Sequence, residues 1–138
     1  MTPNDEITQL HGCCLCGAVT IVVAGALEHA PEACHCVQCR KQSSHFFAAV
    51  NVRRSALEVR GEDKVSWYAS SDQVERGFCS SCGSVLFWKP NIEDYEYTAV
   101  AMGVFDSPTG VHLSKHTFVG DKGDYYEIDD GLPQSEHY

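Results

Sequence analysis

All eight cysteines fall into three tight groups: Cys13-Cys14-Leu15-Cys16, Cys34-His35-Cys36-Val37-Gln38-Cys39 and Cys79-Ser80-Ser81-Cys82. Thiols at such spacings can share one ion as thiolates, and soft sulfur donors favour zinc, which asks for no redox change. Cys79-Ser80-Ser81-Cys82-Gly83 has the form of a zinc knuckle. Two intervening residues let both sulfurs reach one metal, and the glycine lets backbone amides turn toward them. A knuckle supplies two ligands, so a tetrahedral site needs two more from elsewhere. Spacing allows two partitions. Cys79 and Cys82 could join Cys14 and Cys16, leaving Cys34, Cys36 and Cys39 as a three-thiolate group, or the two Cys-x-x-Cys pairs could share a metal. A thioredoxin-like redox role for either pair lacks the βαβ context that such a motif needs.

Strand geometry adds expectations. If His11-Gly12-Cys13-Cys14-Leu15-Cys16 leads into the strand after it, side chains alternate. Cys14 and Cys16 then face one way, and Cys13 faces the other as a buried small hydrophobe. The same alternation groups Cys34 with Cys36 and turns His35 away from them.

The elements that must position these groups read as strands. Period-two or continuously apolar runs, bounded by Gly, Asp, Ser or Pro, occur at about 18–24, 46–52, 56–60, 64–69, 84–89, 96–102 and 115–119. Val, Ile, Thr and aromatic residues fill them. Helical periodicity is limited to a short turn around Val37 to Ser44. The expected fold class is mostly β, a single domain over 1–138 with its core at about 10–133. Residues 1–9 and about 131–138 read as loose ends. Trp67, Tyr68, Phe87 and Trp88 fall on strands and read as core.

A chain of 138 residues can bury a sizeable core without disulfide staples. Its 43% hydrophobic and 21% charged residues are those of a globular protein. The longest apolar run, residues 18–24, is too short to span a bilayer. The opening MTPNDEITQL shows no secretory signal. A cytoplasmic location is the expectation, and a reducing cytosol argues for metal rather than disulfides at the cysteines. The formal charge of −9, from 10 Lys+Arg against 19 Asp+Glu, and the absence of a basic cluster argue against nucleic acid as a partner.

At these residues the chain resembles the glutathione-dependent formaldehyde-activating enzyme family, which also includes the domain of centromere protein V. The resemblance is carried by residues 12–19 (GCCLCGAV), 34–41 (CHCVQCRK) and 76–86 (RGFCSSCGSVL). His116-Thr117-Phe118-Val119 and Leu132-Pro133 close it. The segments occur in the family's order over about residues 11–133.

The resemblance implies a β-tent zinc fold of the kind shared with methionine sulfoxide reductase B. It places Cys14, Cys16, Cys79 and Cys82 on a structural zinc, and Cys34, Cys36 and Cys39 on a second, catalytic zinc. Cys13 occupies a position usually held by a small non-ligand residue. The implied reaction joins glutathione to formaldehyde, giving S-(hydroxymethyl)glutathione, and is of the carbon–sulfur lyase class. Three thiolates leave a fourth coordination position for water or substrate. Thiol capture there, followed by attack of the thiolate on the aldehyde, is the expected chemistry.

An anionic thiol approaching an acidic protein needs a local cation. Arg40, next to the third ligand of the second site, is the expected substrate contact, with Lys41 and Arg76 as further candidates. His35 reads as a hydrogen-bonded structural histidine with a proton carrier as the alternative. His45, beside Phe46 and Phe47, could line a pocket, and His116 reads as packing near the chain end. Two other functions compete with the enzyme: a non-catalytic zinc-binding interaction module, and a thiol-based redox or metal sensor.

Overall fold

Residues 9–138 are described by a computed structural model. Ten strands form two sheets. The smaller holds β1 (Gln9–Cys13), β2 (Thr20–Ala24) and β5 (Leu57–Arg60), in the order β1-β2-β5. The larger adds β3 (Glu32–Cys34), β4 (Phe47–Arg53), β6 (Val65–Ala69), β7 (Val74–Cys79), β8 (Val85–Pro90), β9 (Tyr97–Ala101) and β10 (Lys115–Thr117). Its order is β10-β3-β4-β9-β8-β7-β6. Pairing is antiparallel except between β10 and β3. The mostly β class expected from the sequence is therefore observed, and the short turn after Cys36 is a helix, α1 (Val37–Ser43).

Seven strands lie where the apolar runs place them, and β1, β3 and β7 are additional. β3 is only three residues long, and β7 carries Glu75, Arg76 and Gly77 between its apolar residues. Neighbouring strands complete their hydrogen bonding, which no local pattern reports.

The main core lies between the sheets. Leu10, Val19, Ile21 and Val23 come from the β1–β2 side, and Val50, Val52, Leu86, Phe87 and Val100 from the larger sheet. Side-chain alternation splits the larger sheet into two faces. On β4, Val50 and Val52 turn to the core, while Phe47, Ala49 and Asn51 turn to the opposite face and line a cavity. Register carries that second face across the sheet. Asn51 pairs with Ala99, Ala99 with Trp88 and Trp88 with Arg76, so four strands place one row of side chains on one floor. A register shift in the β7–β8 ladder lets both Leu86 and Phe87 enter the core.

Gly12 lets two segments touch. A Cβ there would lie 2.2 Å from the carbonyl oxygen of Val104, where Gly12 forms an isolated bridge with Phe105.

The chain's end is not loose. Gln134 bridges His116, Ser135 N–H donates to the His116 carbonyl, and Phe118 N–H donates to that of His137. The expectation for residues 131–138 is corrected by these backbone bonds; of the other loose end expected, residues 1–9, Gln9 begins β1 and the rest lie outside the described residues. Of the four aromatic residues read as core, Phe87 is buried and Trp88 is half-buried. Trp67 and Tyr68 are exposed on β6, which is the edge strand of the larger sheet. Among the described residues, no helix is long and apolar enough to cross a membrane.

Candidate metal centres and the cavity beside them

HGCCLCG finishes one strand and turns, rather than leading into the next strand. β1 ends at Cys13, and Cys14 N–H and Gly17 N–H bond to the Val19 and Cys14 carbonyls across the turn to β2. Strand alternation therefore stops at Cys13. That residue is exposed, not the buried small hydrophobe expected, because its side chain follows the outward phase of β1. Cys14 is buried and Cys16 is exposed, and the turn rather than a shared strand face brings their sulfurs to 3.6 Å.

The knuckle meets this turn from 63 residues away, with Cys16 Sγ 3.8 Å from Cys79 Sγ. All four sulfurs of Cys14, Cys16, Cys79 and Cys82 lie within 4.8 Å of one another. A tetrahedral ion with metal–sulfur bonds of about 2.3 Å sets its ligand sulfurs about 3.8 Å apart. The donor set therefore fits one such ion. Backbone amides are aimed at the sulfurs as well: Val19 N–H donates to Cys14 Sγ and Cys82 N–H to Cys79 Sγ. Gly83, at φ +80°, turns the chain there at no steric cost. Ser84, through its hydroxyl and backbone, holds the Cys82 thiol down to about 5.

The second group forms where β3 ends and α1 begins. Cys34 closes β3, Cys36 caps α1, and Cys39 lies one turn into the helix. Cys36 Sγ accepts from Cys39 N–H at 3.4 Å. The three sulfurs also lie within 4.8 Å of one another. Their ionisation is graded. Thiols of Cys34 and Cys39 donate to Cys36 and hold it down to about 2. Cys34 is itself pushed up chiefly by Cys36, and Cys39 by Cys34 and Cys36. Three thiols this close carry one negative charge readily, and a second or third calls for a cation between them. With three protein donors, such an ion keeps one position open.

One cation is already present. Arg76 on β7 is 3% exposed, and both its terminal nitrogens lie 3.6 Å from Cys39 Sγ. Nη1 also donates to Gln42, Nη2 to Gln38, and Nε to Ser70 Oγ. A guanidinium has five N–H donors, and all five are engaged. Arg40, the cation expected to contact substrate, points elsewhere. It does not line the cavity, and its Nε is buried with no hydrogen-bond partner among the described residues. Helical phase separates it from Cys39. Arg76, 37 residues from Cys39 in sequence, reaches that sulfur through strand register instead. No local signal distinguishes Arg76 from an arginine on a strand edge.

The sulfurs of Cys34, Cys36 and Cys39 border a cavity of about 670 Å³, and the row Asn51, Ala99, Trp88 and Arg76 contributes to its lining. Phe118 and Tyr138 close it from the C-terminal segment. Of the residues beside His45, only Phe47 lines it. His45 itself bonds to the Tyr125 hydroxyl at 2.6 Å.

Behind the Cys34-His35-Cys36 loop runs a polar chain that is buried at His35 and His116 and reaches the surface at Asp130. Asp130 Oδ2 is 2.7 Å from His116 Nε2, and His116 Nδ1 is 2.8 Å from His35 Nε2. His35 Nδ1 meets the Tyr126 hydroxyl. His116 keeps Asp130 below the usual carboxylate range, so the carboxylate accepts. A neutral His35 can donate from Nε2 to His116 Nδ1 and accept at Nδ1 from the Tyr126 hydroxyl. Burial, with the neighbouring positive groups, holds His35 down to about 4. His35 is thus the structural histidine expected, and it anchors the metal loop from behind. Its backbone N–H also donates to Thr117 at 3.0 Å.

His116→Ala should leave the buried His35 N–H without an acceptor and cost about 1–3 kcal/mol of stability. Chemical denaturation would show it as a lower midpoint. His116→Asn, which restores an acceptor near the Nδ1 position, should recover part of the loss. An unchanged midpoint in the alanine variant would contradict this anchoring.

Comparisons with known proteins agree with this architecture. The family described as glutathione-dependent formaldehyde-activating enzyme matches residues 9–121. A protein of Halomonas elongata, provisionally named as a glutathione-dependent formaldehyde-activating enzyme, is 30% identical over 132 residues, covering 87% of this chain and 81% of that protein. An uncharacterized lyase of Schizosaccharomyces pombe is 29% identical over 122 residues, covering 87% of this chain and 85% of its own. The crystal structure of a Rhodobacter sphaeroides protein superposes with a TM-score of 0.61 at 21% identity, over 91% of this chain and 98% of that one, and so shares the fold. By its sequence over residues 9–121, the chain belongs to the glutathione-dependent formaldehyde-activating enzyme family.

Proposed function

We propose that this protein is a zinc-dependent enzyme of the carbon–sulfur lyase type that acts on a thiol adduct, in the manner of S-(hydroxymethyl)glutathione synthesis. The observation that carries the reading is the three-cysteine group at the edge of a ligand-sized cavity, backed by a fully engaged arginine. Zinc is proposed at both groups: held by Cys14, Cys16, Cys79 and Cys82 in a closed structural site, and by Cys34, Cys36 and Cys39 in an open one.

Zinc at the open site would supply a soft position at which a thiol is held as its thiolate. The chain's own residues set the surroundings. Three thiolates around a divalent ion leave a net negative charge, and Arg76 offsets it through Cys39. A less negative centre accepts an incoming thiolate more readily. Trp88, Phe47 and the alanines of the floor give an apolar surround to the region where sulfur and carbonyl carbon would meet. In the addition, the thiolate forms the carbon–sulfur bond while the carbonyl π pair moves to oxygen, which takes up the proton equivalent that the thiol lost on ionising. Cleavage is the reverse.

Cys36→Ser is the direct test, because it removes the ligand that also caps α1. Native mass spectrometry should show one zinc instead of two. Adduct formation, followed by exchange NMR against the protein-free rate, should fall to the spontaneous background. Turnover above background retained in the variant would reject the three-cysteine site as the reaction centre, and no turnover above background in the unaltered protein would reject the reading in favour of a binding module.

A further inference from the structure

The lining of the cavity is more apolar than a tripeptide thiol calls for. Phe47, Trp88, Tyr95, Phe118 and Tyr138 present rings to it, and three alanines and Val74 fill the spaces between. Its volume of about 670 Å³ lies within the range of roughly 300–1,000 Å³ typical of pockets for drug-sized ligands. Formaldehyde would occupy a small corner of it.

Charge separates the candidate occupants more sharply than size. Glutathione carries two carboxylates and one ammonium outside its thiol. Each carboxylate entering an apolar cavity needs a cation, or its desolvation goes uncompensated. Among the described residues, Arg76 is the only basic side chain of the lining, and its five donors are already committed to Ser70, Gln38, Gln42 and Cys39. Apart from the cysteine sulfurs, the other charged group of the lining among the described residues is Glu32, a carboxylate. Lys115 lies 4.0 Å from Glu32 and 5.0 Å over the Tyr138 ring, so it is engaged there and lies outside the lining. The remaining polar groups, Asn51 and Ser71 among them, offer neutral hydrogen bonds that suit a hydroxyl or carbonyl.

We propose that this cavity selects a thiol, or thiol adduct, whose body is uncharged, apolar and ring-bearing, in preference to glutathione. The proposal depends on the reading above that the centre at Cys34, Cys36 and Cys39 takes the substrate's sulfur. The rings then stack on the Trp88 side of the floor, and Ala99 between Asn51 and Trp88 leaves the room for them.

Isothermal titration of the zinc-loaded protein with three probes tests it: 2-phenylethanethiol, glutathione and 2-phenylethanol. The ring thiol should bind at least about tenfold more tightly than glutathione, since an aromatic ring is buried and no carboxylate is desolvated. Trp88→Leu should weaken the ring thiol several-fold with zinc content unchanged. Should that variant fold poorly, Asn51→Arg, which adds a free cation to the floor, should narrow the gap by strengthening glutathione binding. Glutathione binding as tightly as the ring thiol in the unaltered protein would overturn the proposal, as would no binding of any probe. The alcohol separates the two levels. If 2-phenylethanol equals 2-phenylethanethiol and both exceed glutathione, the apolar preference holds and sulfur capture at the metal fails.

Discussion

Cys79→Ser is expected to abolish cooperative folding rather than merely weaken it. Cys79 is fully buried, belongs to the main core, and its sulfur meets the Cys14–Cys16 turn. The proposed zinc there ties the β1–β2 hairpin of one sheet to the β7–β8 turn of the other. Structural four-ligand zinc sites contribute an apparent binding free energy of about 10–16 kcal/mol. Whole domains of this size are stable by about 5–15 kcal/mol. Loss of the ion is therefore of the same order as the entire stability. The substitution should give a broad, low-amplitude thermal transition and exposed hydrophobic surface, and a strong chelator should do the same to the unaltered protein. A sharp transition within a few degrees of the original would show that packing between the sheets suffices without metal. Cys13→Ser is the internal control. Its exposed thiol touches neither centre, so the transition should not move.

The second large effect is expected at Arg76. Arg76→Met removes the only positive charge that, among the described residues, hydrogen-bonds to the three-cysteine group, and leaves Gln38, Gln42 and Ser70 without their buried donor. Groups that orient or neutralise metal ligands typically change metal affinity or activity by about 10–100-fold. Competition with a chromophoric chelator should show the second zinc weakened within that range, while the first stays bound. Arg76→Lys should not restore it, because an ammonium has three donors and cannot reproduce the planar five-donor fork. Equal affinity for the second zinc in Arg76→Met and the unaltered protein would sink this role. The readout separates Arg76 from a merely structural arginine, whose loss would lower stability without distinguishing one metal from the other.

Parts of the fold and site were legible in the chain. Seven strands showed as apolar runs, since a half-buried strand needs period-two alternation and that pattern is local. The Cys-x-x-Cys knuckle and its glycine were legible for a similar reason: two sulfurs on one ion and a turn at φ +80° are set by consecutive residues. The missed strands β3 and β7 had too little local signal, because short or polar strands form through their neighbours' hydrogen bonds. Cys13 was misread because the pattern around it fits either entry to a strand or exit from one. Only the turn closed by Cys14 and Val19 decides between them.

The sequence by itself determined the chemistry available to this protein. Eight thiols in three groups, a family motif order and a mostly β pattern are properties of residue type and spacing. Tertiary structure alone decided which groups meet. It brought Cys16 to Cys79, laid Asn51, Ala99, Trp88 and Arg76 in one row, and gave Cys39 the guanidinium of Arg76 rather than that of the adjacent Arg40. The physical reason is that ligand types follow from side-chain chemistry, while neighbours across a sheet follow from register, and register is fixed by the whole ladder of strands at once.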